Sequence, residues 1–351
     1  MTADQIMRIG LHDRTIEIIS SSEDFMAYLK KQFLYQIIQE PSDQQQPDIS
    51  LHISWSKSAL SKMVSVEKSN LRRIATNTYI NDTQCVYMDK INGRRTKVDL
   101  TIEGRRLRIF VVQEEKKYRR LFKKDNDELM REACYHFVYY PLFFHLQHFS
   151  GIYPLHAAAF KVSGKIFVFA GLDKMGKTTL ALQSLQRPEA LFISDNIIFH
   201  DEKSIFPCYA PLKISNENRF LIPESFREIT RSKDRAYFSP PASSEREHRP
   251  DYIIVPCFSR EPFTKEMPPA VASSTIMNSN MLASEMKEYF NAATLWNLII
   301  AGDVLLIKQN NALAQLLNQA KCYHFGIGRA ETPYQTLERL ANLANRKEQY
   351  A

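Results

Sequence analysis

Residues 171–178 combine potentially reactive side chains with backbone positions that favour glycine. They read Gly-Leu-Asp-Lys-Met-Gly-Lys-Thr, which matches the pattern Gly-x-x-x-x-Gly-Lys-Ser/Thr. A buried-looking strand (165–170) precedes the match and an amphipathic helix (178–186) follows it, and in this context the pattern binds nucleotide phosphates. The chain has only 10 glycines in 351 residues, and four of them are concentrated within residues 151–176. The sequence therefore predicts a phosphate-binding loop at this point.

Each fixed position of this loop has a physical task. Gly171 turns the chain off the strand, and Gly176 lets backbone N–H groups approach phosphate oxygens. Lys177 brings a cation to the outer phosphates, Thr178 offers a hydroxyl to Mg²⁺, and the helix N-terminus adds partial positive charge. Lys174 either adds a second cation or points into solvent. The predicted cofactors are ATP, or another nucleoside triphosphate, and Mg²⁺, and the predicted binding residues are Gly171, Asp173, Lys174, Met175, Gly176, Lys177, Thr178 and Thr179.

The segments on both sides of the loop resemble one group of kinases. PLHAAA (154–159) precedes the loop, and ISDN (193–196) follows its helix. This order is similar to the catalytic domain of HPr kinase/phosphorylase and its bacterial relatives, which include kinases of peptide-maturation gene clusters such as those acting on lasso-peptide precursors. The resemblance covers residues 150–215 well and the rest of the C-terminal half loosely. It implies a fold akin to phosphoenolpyruvate carboxykinase rather than to the common P-loop NTPases.

The resemblance implies roles for individual side chains. Asp195 would accept the proton of an acceptor hydroxyl, His156 would tune the Asp195 pKa or touch phosphate, and Lys177 would hold the triphosphate. Thr178 and Asn196 are the implied metal ligands. Other interpretations stay open: Asp195 as a metal or water ligand, His156 as a buried packing residue, and Asn196 as a turn residue.

Two departures from the family pattern bear on the substrate and the metal. Asn196 stands where the family usually has a second aspartate, which weakens any second carboxylate role in metal binding or base chemistry. We find no counterpart of the Glu-x-Arg segment of true HPr kinases. This second departure argues against HPr itself as the acceptor.

The elements that position these residues indicate an α/β protein with two domains. Strand-like segments around one helix predict an N-terminal α+β recognition or accessory domain over residues 1–126. Alternating strands and helices predict an α/β domain with a mixed or parallel sheet over residues 127–351. The resemblance implies that this is an HPr kinase-like P-loop catalytic domain with a mixed sheet. Within it we expect a helix at 127–149 broken near Pro141, long loops or a lid at 215–250, and a strand at 304–308.

Composition limits the remaining possibilities. The net charge of +7 includes a basic run at 116–124, interpreted as a solvated linker rather than a patch for nucleic acid or an acidic partner.

The five separated cysteines favour a reduced, intracellular protein over a disulfide framework or a zinc cluster. His136, His145 and His148 are interpreted as packing residues. No apolar run is long enough for a membrane span, and the N-terminus lacks a signal pattern, so we predict a cytoplasmic protein with no membrane partner.

These features lead to one leading function and two alternatives. The leading hypothesis is an ATP-dependent kinase that phosphorylates a hydroxyl on a peptide, protein or small molecule. A homo-oligomer is a separate possibility that the sequence leaves open. The alternatives are a P-loop ATPase or nucleotide-dependent switch without an acceptor, and a binding module that recruits a partner through the basic run. The sequence does not name the acceptor or the donor nucleotide.

Overall fold

The chain forms two compact units. The computed structural model describes residues 4–38, 46–56, 70–91, 93–114, 126–187, 189–231, 233–240, 246–300 and 305–345. One unit comprises Met1–Ser150 with Tyr289–Asp303, and the other comprises Gly151–Glu288 with Val304–Ala351. Residues 127–150, which the sequence analysis grouped with the second domain, therefore cluster with the first unit. The basic run at 116–124 lies outside the described residues.

The first unit is built on an eight-stranded mixed sheet. Its order is β1-β2-β3-β8-β7-β6-β5-β4, in which β3 runs parallel to both β2 and β8 while the other neighbours are antiparallel. Hairpin turns around residues 12–14 and 103–105 join two of the antiparallel pairs. The strands are β1 (Gln5–Leu11), β2 (Arg14–Ser20), β3 (Ile49–Ser56), β4 (Arg72–Ala75), β5 (Thr78–Ile80), β6 (Gln84–Ile91), β7 (Arg94–Glu103) and β8 (Arg106–Glu114).

Helices of the first unit pack against this sheet. Helix α1 (Glu23–Gln32) begins after the N-cap Ser22, whose hydroxyl accepts a hydrogen bond from the Phe25 N–H. Helices α2 (Asn126–Cys134) and α3 (Tyr140–Ser150) are joined by a π-helical turn, Tyr135–Tyr139. The expected break at Pro141 is thus a wider turn within a continuous helical segment, because proline lacks an N–H and its ring clashes with the carbonyl of residue i−4.

The second unit contains a six-stranded mixed sheet and two three-stranded antiparallel sheets. The larger sheet has the order β12-β10-β11-β18-β20-β19, and the smaller ones are β14-β13-β9 and β15-β17-β16. The strands are β9 (Tyr153–Leu155), β10 (Ala157–Val162), β11 (Lys165–Ala170), β12 (Leu191–Ser194), β13 (Ile198–His200), β14 (Ile205–Pro207), β15 (Leu212–Ser215), β16 (Arg227–Arg231), β17 (Arg235–Ser239), β18 (Tyr252–Ser259), β19 (Phe263–Glu266) and β20 (Lys321–Gly328).

Helices cover both faces of the six-stranded sheet. They are α4 (Lys177–Ser184), α5 (Pro269–Leu282), α7 (Leu305–Gln319) and α8 (Pro333–Asn345), whereas the intervening α6 (Ser284–Asn297) begins in this unit and continues into the first from Tyr289. Ala157 and Val168 face α5 and α7, while Phe160 and Phe167 face α4 and α8. Because successive strand residues point to opposite faces, the nearly all-apolar β10 and β11 are buried on both sides. This mixed sheet between helical layers is the coarse α/β architecture that the sequence predicts.

Two local predictions in the second unit were wrong. Residues 215–250 contain a 3₁₀ turn (Asn216–Leu221) and the strands β16 and β17, rather than loops alone. Their apolar residues alternate with polar ones over only five positions, and nearby prolines dominate the composition. Residues 305–308, expected as strand, open α7. Polar residues at 308–311 separate this apolar run from Leu313, Leu316 and Leu317, whose helical spacing decides the element.

In the described part of the chain, no helix is both long and apolar enough to cross a membrane.

Candidate functional site

Strand register brings the predicted site segments to one edge of the six-stranded sheet. Strand β10 is antiparallel to both β11 and β12, with Ala157 opposite Ala170 and Ala159 opposite Ser194. The residue before β10 is His156, and the residues after β11 and β12 are Gly171 and Asp195. The start of β10 therefore lies between the ends of its two neighbours, and all three segments meet at the same edge.

The loop 171–176 leaves β11 at this edge and leads into α4. A Cβ atom built on Gly171 would lie 3.3 Å from Cδ of Pro256, so a larger residue there would have to displace the proline ring. Gly176 has φ +79° and precedes the first residue of α4, a left-handed conformation that glycine adopts without steric cost. Lys174 also has a positive φ, +64°. The loop therefore depends on a close approach to Pro256 at Gly171 and on left-handed backbone conformations at Lys174 and Gly176.

The other predicted loop residues differ in exposure. Asp173 and Lys174 are exposed, whereas Met175, Thr178 and Thr179 are half-buried. Lys177 is the buried one, with an exposed fraction of 6%.

The ammonium group of Lys177 lies inside the curve of the loop. Its Nζ donates hydrogen bonds to the carbonyl oxygens of Gly171, at 2.9 Å, and Leu172, at 2.7 Å. Burial lowers the pKa of Lys177 to about 8, and the carboxylates of Asp173, Asp195 and Glu285 oppose that shift. The side chain is therefore cationic at neutral pH, and its cation is held by carbonyls of the loop itself.

Thr178 and Asp195 form the direct link between the loop helix and β12. The Thr178 Oγ1 atom lies 2.8 Å from Oδ2 and 3.0 Å from Oδ1 of Asp195, and its hydroxyl donates to that carboxylate. Burial raises the pKa of Asp195 to about 6, while the Thr178 hydrogen bond and the charge of Lys177 lower it. The result is a buried carboxylate that is mostly ionised at neutral pH and basic enough to accept a proton.

A tight turn after β12 fixes the direction of Asp195. The Ile197 N–H donates to the Asp195 carbonyl at 2.8 Å, and the residue between them, Asn196, has φ +68°. This is a three-residue γ-turn, which is a strained conformation for a residue other than glycine. The buried Ser194 hydroxyl braces the turn, since it lies 2.8 Å from the Ile197 carbonyl and accepts the Cys208 N–H at 3.1 Å.

His156 faces the loop from the start of β10. Its Nε2 atom lies 3.1 Å from Oδ1 of Asp173. Burial lowers the pKa of His156 below its usual value; the nearby Lys177 lowers it further, while Asp173 and Glu285 raise it. His156 is thus a buried histidine, which is one of the sequence interpretations, and it also contacts the loop 171–176 through Asp173.

Sequence reasoning missed two residues near this site, Asn280 and Glu285. The Asn280 Oδ1 atom accepts the His156 backbone N–H at 2.8 Å. Glu285, in the first turn of α6, acts electrostatically on His156, Lys177 and Asp195. Both lie more than 100 residues after the loop, and no local pattern marks them. Only the tertiary fold identifies them.

Other polar and histidine side chains have separate surroundings. Arg219 donates to Glu228 at 2.7 Å on the exposed surface. His145 is buried in the first unit, where its Nε2 lies 2.8 Å from the Arg105 carbonyl oxygen. His136 and His148 contact aromatic rings there. Among the described residues, no group of three or more His, Cys, Asp or Glu side chains is arranged to hold a metal ion.

The residues present fit a magnesium–nucleotide ligand better than a metal held by protein alone. Mg²⁺ in nucleotide sites is bound by one or two protein oxygens together with phosphates and waters. Thr178 and Asp195 bring oxygens together at the end of the loop, Asn196 is the next residue in the chain, and the loop has the glycine-dependent curvature that phosphate binding uses. Comparison with protein-family models and with curated proteins found no match to the chain.

Proposed function

We propose that this protein is an ATP-dependent kinase related to the HPr kinase group, which transfers a phosphoryl group to a hydroxyl of a peptide, protein or small-molecule acceptor. The observation that carries the proposal is the buried Asp195 carboxylate, bonded to Thr178 directly beside the Lys177 loop. A nucleotide-binding loop alone would fit many activities. A buried carboxylate with a pKa raised to about 6 at its end adds a group suited to base chemistry.

The chain's own groups would divide the work as follows. Lys177 would exchange its two carbonyl partners for phosphate oxygens, and the N–H groups of residues 174–178 would hold the same phosphates. Thr178 and Asn196 are the proposed ligands of Mg²⁺, which when bound neutralises charge on the outer phosphates. Asp195 would align the acceptor hydroxyl and take its proton as the new O–P bond forms and the bond to the leaving nucleoside diphosphate breaks.

The position of His156 suggests an indirect role in this scheme. Its imidazole contacts Asp173 in the loop, and its lowered pKa keeps it neutral at physiological pH. A neutral imidazole can donate one hydrogen bond without adding charge. We therefore assign His156 the task of holding the loop rather than of transferring protons.

The test is mass spectrometry of acceptors incubated with the protein, ATP and Mg²⁺. Short peptides containing serine and threonine are the first probes, beginning with any precursor peptide encoded beside the gene. The proposal expects a product heavier by one phosphate, lost in Lys177→Met and retained in Lys165→Met, which alters a partly exposed lysine at the opposite end of β11. ATP hydrolysis with no phosphorylated product would instead favour the ATPase or switch alternative.

A further inference from the structure

His156 occupies the point at which the chain passes from one sheet to another. The preceding residue, Leu155, pairs with Ile198 in a three-stranded sheet, and the following residue, Ala157, pairs with Ala170 in the six-stranded sheet. His156 has no register partner in either ladder. A buried backbone N–H without a partner is costly, so this transition requires a hydrogen-bond acceptor from elsewhere.

Asn280 on α5 provides that acceptor. Its Oδ1 lies 2.8 Å from the His156 backbone nitrogen, and both residues are almost fully buried, with exposed fractions of 1% and 4%. Asn280 shares the buried side of α5 with the apolar Ile276 and Met277 and with Ser273 and Ser279. Burying an amide in such surroundings is unfavourable unless its polar atoms are satisfied. The hydrogen bond to His156 therefore gives a physical reason for a polar residue at position 280.

A second buried amide holds the same segment one step earlier. The carbonyl oxygen of Pro154 accepts hydrogen bonds from Nδ2 of Asn280, at 3.5 Å, and from Nε2 of Gln309 on α7, at 2.8 Å. Two helices thus fix the backbone of 154–156. Only Asn280 contacts His156 itself, whereas Gln309 reaches no further than Pro154.

We propose that Asn280 is a positioning residue for His156, holding its backbone so that the imidazole contacts Asp173 in the phosphate loop. This inference rests on the proposed function for its catalytic consequence, but the positioning itself is a structural property. The chain of contacts runs from Asn280 Oδ1 to the His156 N–H, and from His156 Nε2 to Asp173 Oδ1 over 3.1 Å. Lys177 and Glu285 are the other charged groups acting on the imidazole. Displacement of the backbone at 156 would change the loop through this contact.

The decisive comparison uses two buried-amide variants, Asn280→Leu and Gln309→Leu. Each removes an amide that donates to Pro154, so both lose stability, but only Asn280→Leu removes the acceptor of the His156 N–H. The readout is the NMR signal of the His156 imidazole in protein carrying ¹³C-labelled histidine, assigned with His156→Gln. Asp173→Asn is then introduced into each background as a local perturbation.

We expect Asp173→Asn to shift the His156 signal in wild type and in Gln309→Leu, but not in Asn280→Leu. We also expect Asn280→Asp to restore the response, because a protonated carboxyl keeps one acceptor and one donor in the same places. An equal response in all backgrounds would overturn the inference. This result does not depend on any kinase activity, so failure of the positioning and failure of the proposed function are distinguishable.

The catalytic consequence is measured in phosphoryl transfer. A small displacement of a site group costs of order 10- to 100-fold in rate, so we expect Asn280→Leu to lower kcat by that factor with the KM for ATP changed less than about threefold. Gln309→Leu should keep kcat near the wild-type value at a temperature where both variants are folded. Equal losses in the two variants would indicate a role in stability alone and would contradict the proposal.

Discussion

The hydroxyl of Thr178 lies within 3.0 Å of both carboxylate oxygens of Asp195. This contact joins the first turn of α4 to the end of β12, and it gives the buried Asp195 a hydrogen-bond donor from a side chain. In the proposed function, the same two groups face the metal and the acceptor hydroxyl. Their adjacency therefore links nucleotide binding to proton transfer within one small region.

Replacing Thr178 tests this link. Thr178→Val preserves the side-chain shape but removes the donor to Asp195 and the proposed metal ligand, so we expect phosphoryl transfer to fall roughly 10- to 100-fold. Thr178→Ser should retain most activity because the hydroxyl remains. The control is Thr275→Val on α5, whose exposed hydroxyl donates to the Val271 carbonyl and lies outside the proposed site. Initial rates at saturating ATP measure the effect, and an unimpaired Thr178→Val enzyme would refute it.

Lys177→Met separates nucleotide binding from stability. The variant removes a buried cation whose pKa is lowered to about 8, so we expect the melting temperature to stay the same or rise. Nucleotide affinity should fall roughly 10- to 100-fold, since a hydrogen bond to a charged group contributes about 1.5–3 kcal/mol. Calorimetric titration with ATP and Mg²⁺, beside a thermal melt, provides both numbers. Unchanged affinity for ATP would show that Lys177 does not contribute to phosphate binding.

The raised pKa of Asp195 predicts a pH dependence of stability with a definite sign. The folded state binds the proton more tightly than the unfolded chain, because the pKa rises from 3.8 to about 6 on folding. This carboxyl therefore contributes stability below pH 4 that is lost as the pH rises to 6, on the order of 3 kcal/mol in total.

Asp195→Asn isolates this contribution. Urea unfolding in EDTA measures the free energy of unfolding of both proteins. Relative to Asp195→Asn, wild type should lose most of this contribution of roughly 3 kcal/mol between pH 4.5 and 7. A relative stability that is flat or increases with pH would mean that the native carboxyl is not destabilised by burial.

The positive φ of Asn196 predicts which replacements the turn after Asp195 accepts. Asn196→Gly should fold with stability near wild type, whereas Asn196→Val should lose about 1–2 kcal/mol, because a β-branched residue is strained at φ +68°. Asn196→Asp tests the metal role as well. If residue 196 contacts Mg²⁺, that variant should need less Mg²⁺ for half-maximal activity than Asn196→Gly does, and equal requirements would exclude the contact.

The fold could be predicted from sequence where patterns are local. The strands β10 and β11, the loop and α4 follow from apolar runs and glycine spacing. The strands β16 and β17 could not be predicted, because the alternation of apolar and polar residues in them is short and lies between Pro223 and Pro240. The apolar residues 305–308 are compatible with strand or helix, and only the buried positions of α7 further along decide between them.

The site was partly predictable for the same reason. Lys177 and Thr178 belong to a continuous motif, and the resemblance to HPr kinases added His156 and Asp195. Asn280 could not be found, since its task arises only where β9 ends and β10 begins in a different sheet. The exchange of partners that leaves the His156 N–H unpaired in the ladders is a property of the tertiary fold.

Asp195→Asn, measured in one preparation for both ATP binding and phosphoryl transfer, tests the central claim most directly. The variant keeps an oxygen that can accept the Thr178 hydroxyl but loses the basic carboxylate. The proposed kinase predicts ATP affinity within about threefold of wild type, since the loop is intact, and a loss of transfer of at least about 100-fold. Transfer at the wild-type rate by Asp195→Asn would contradict the account.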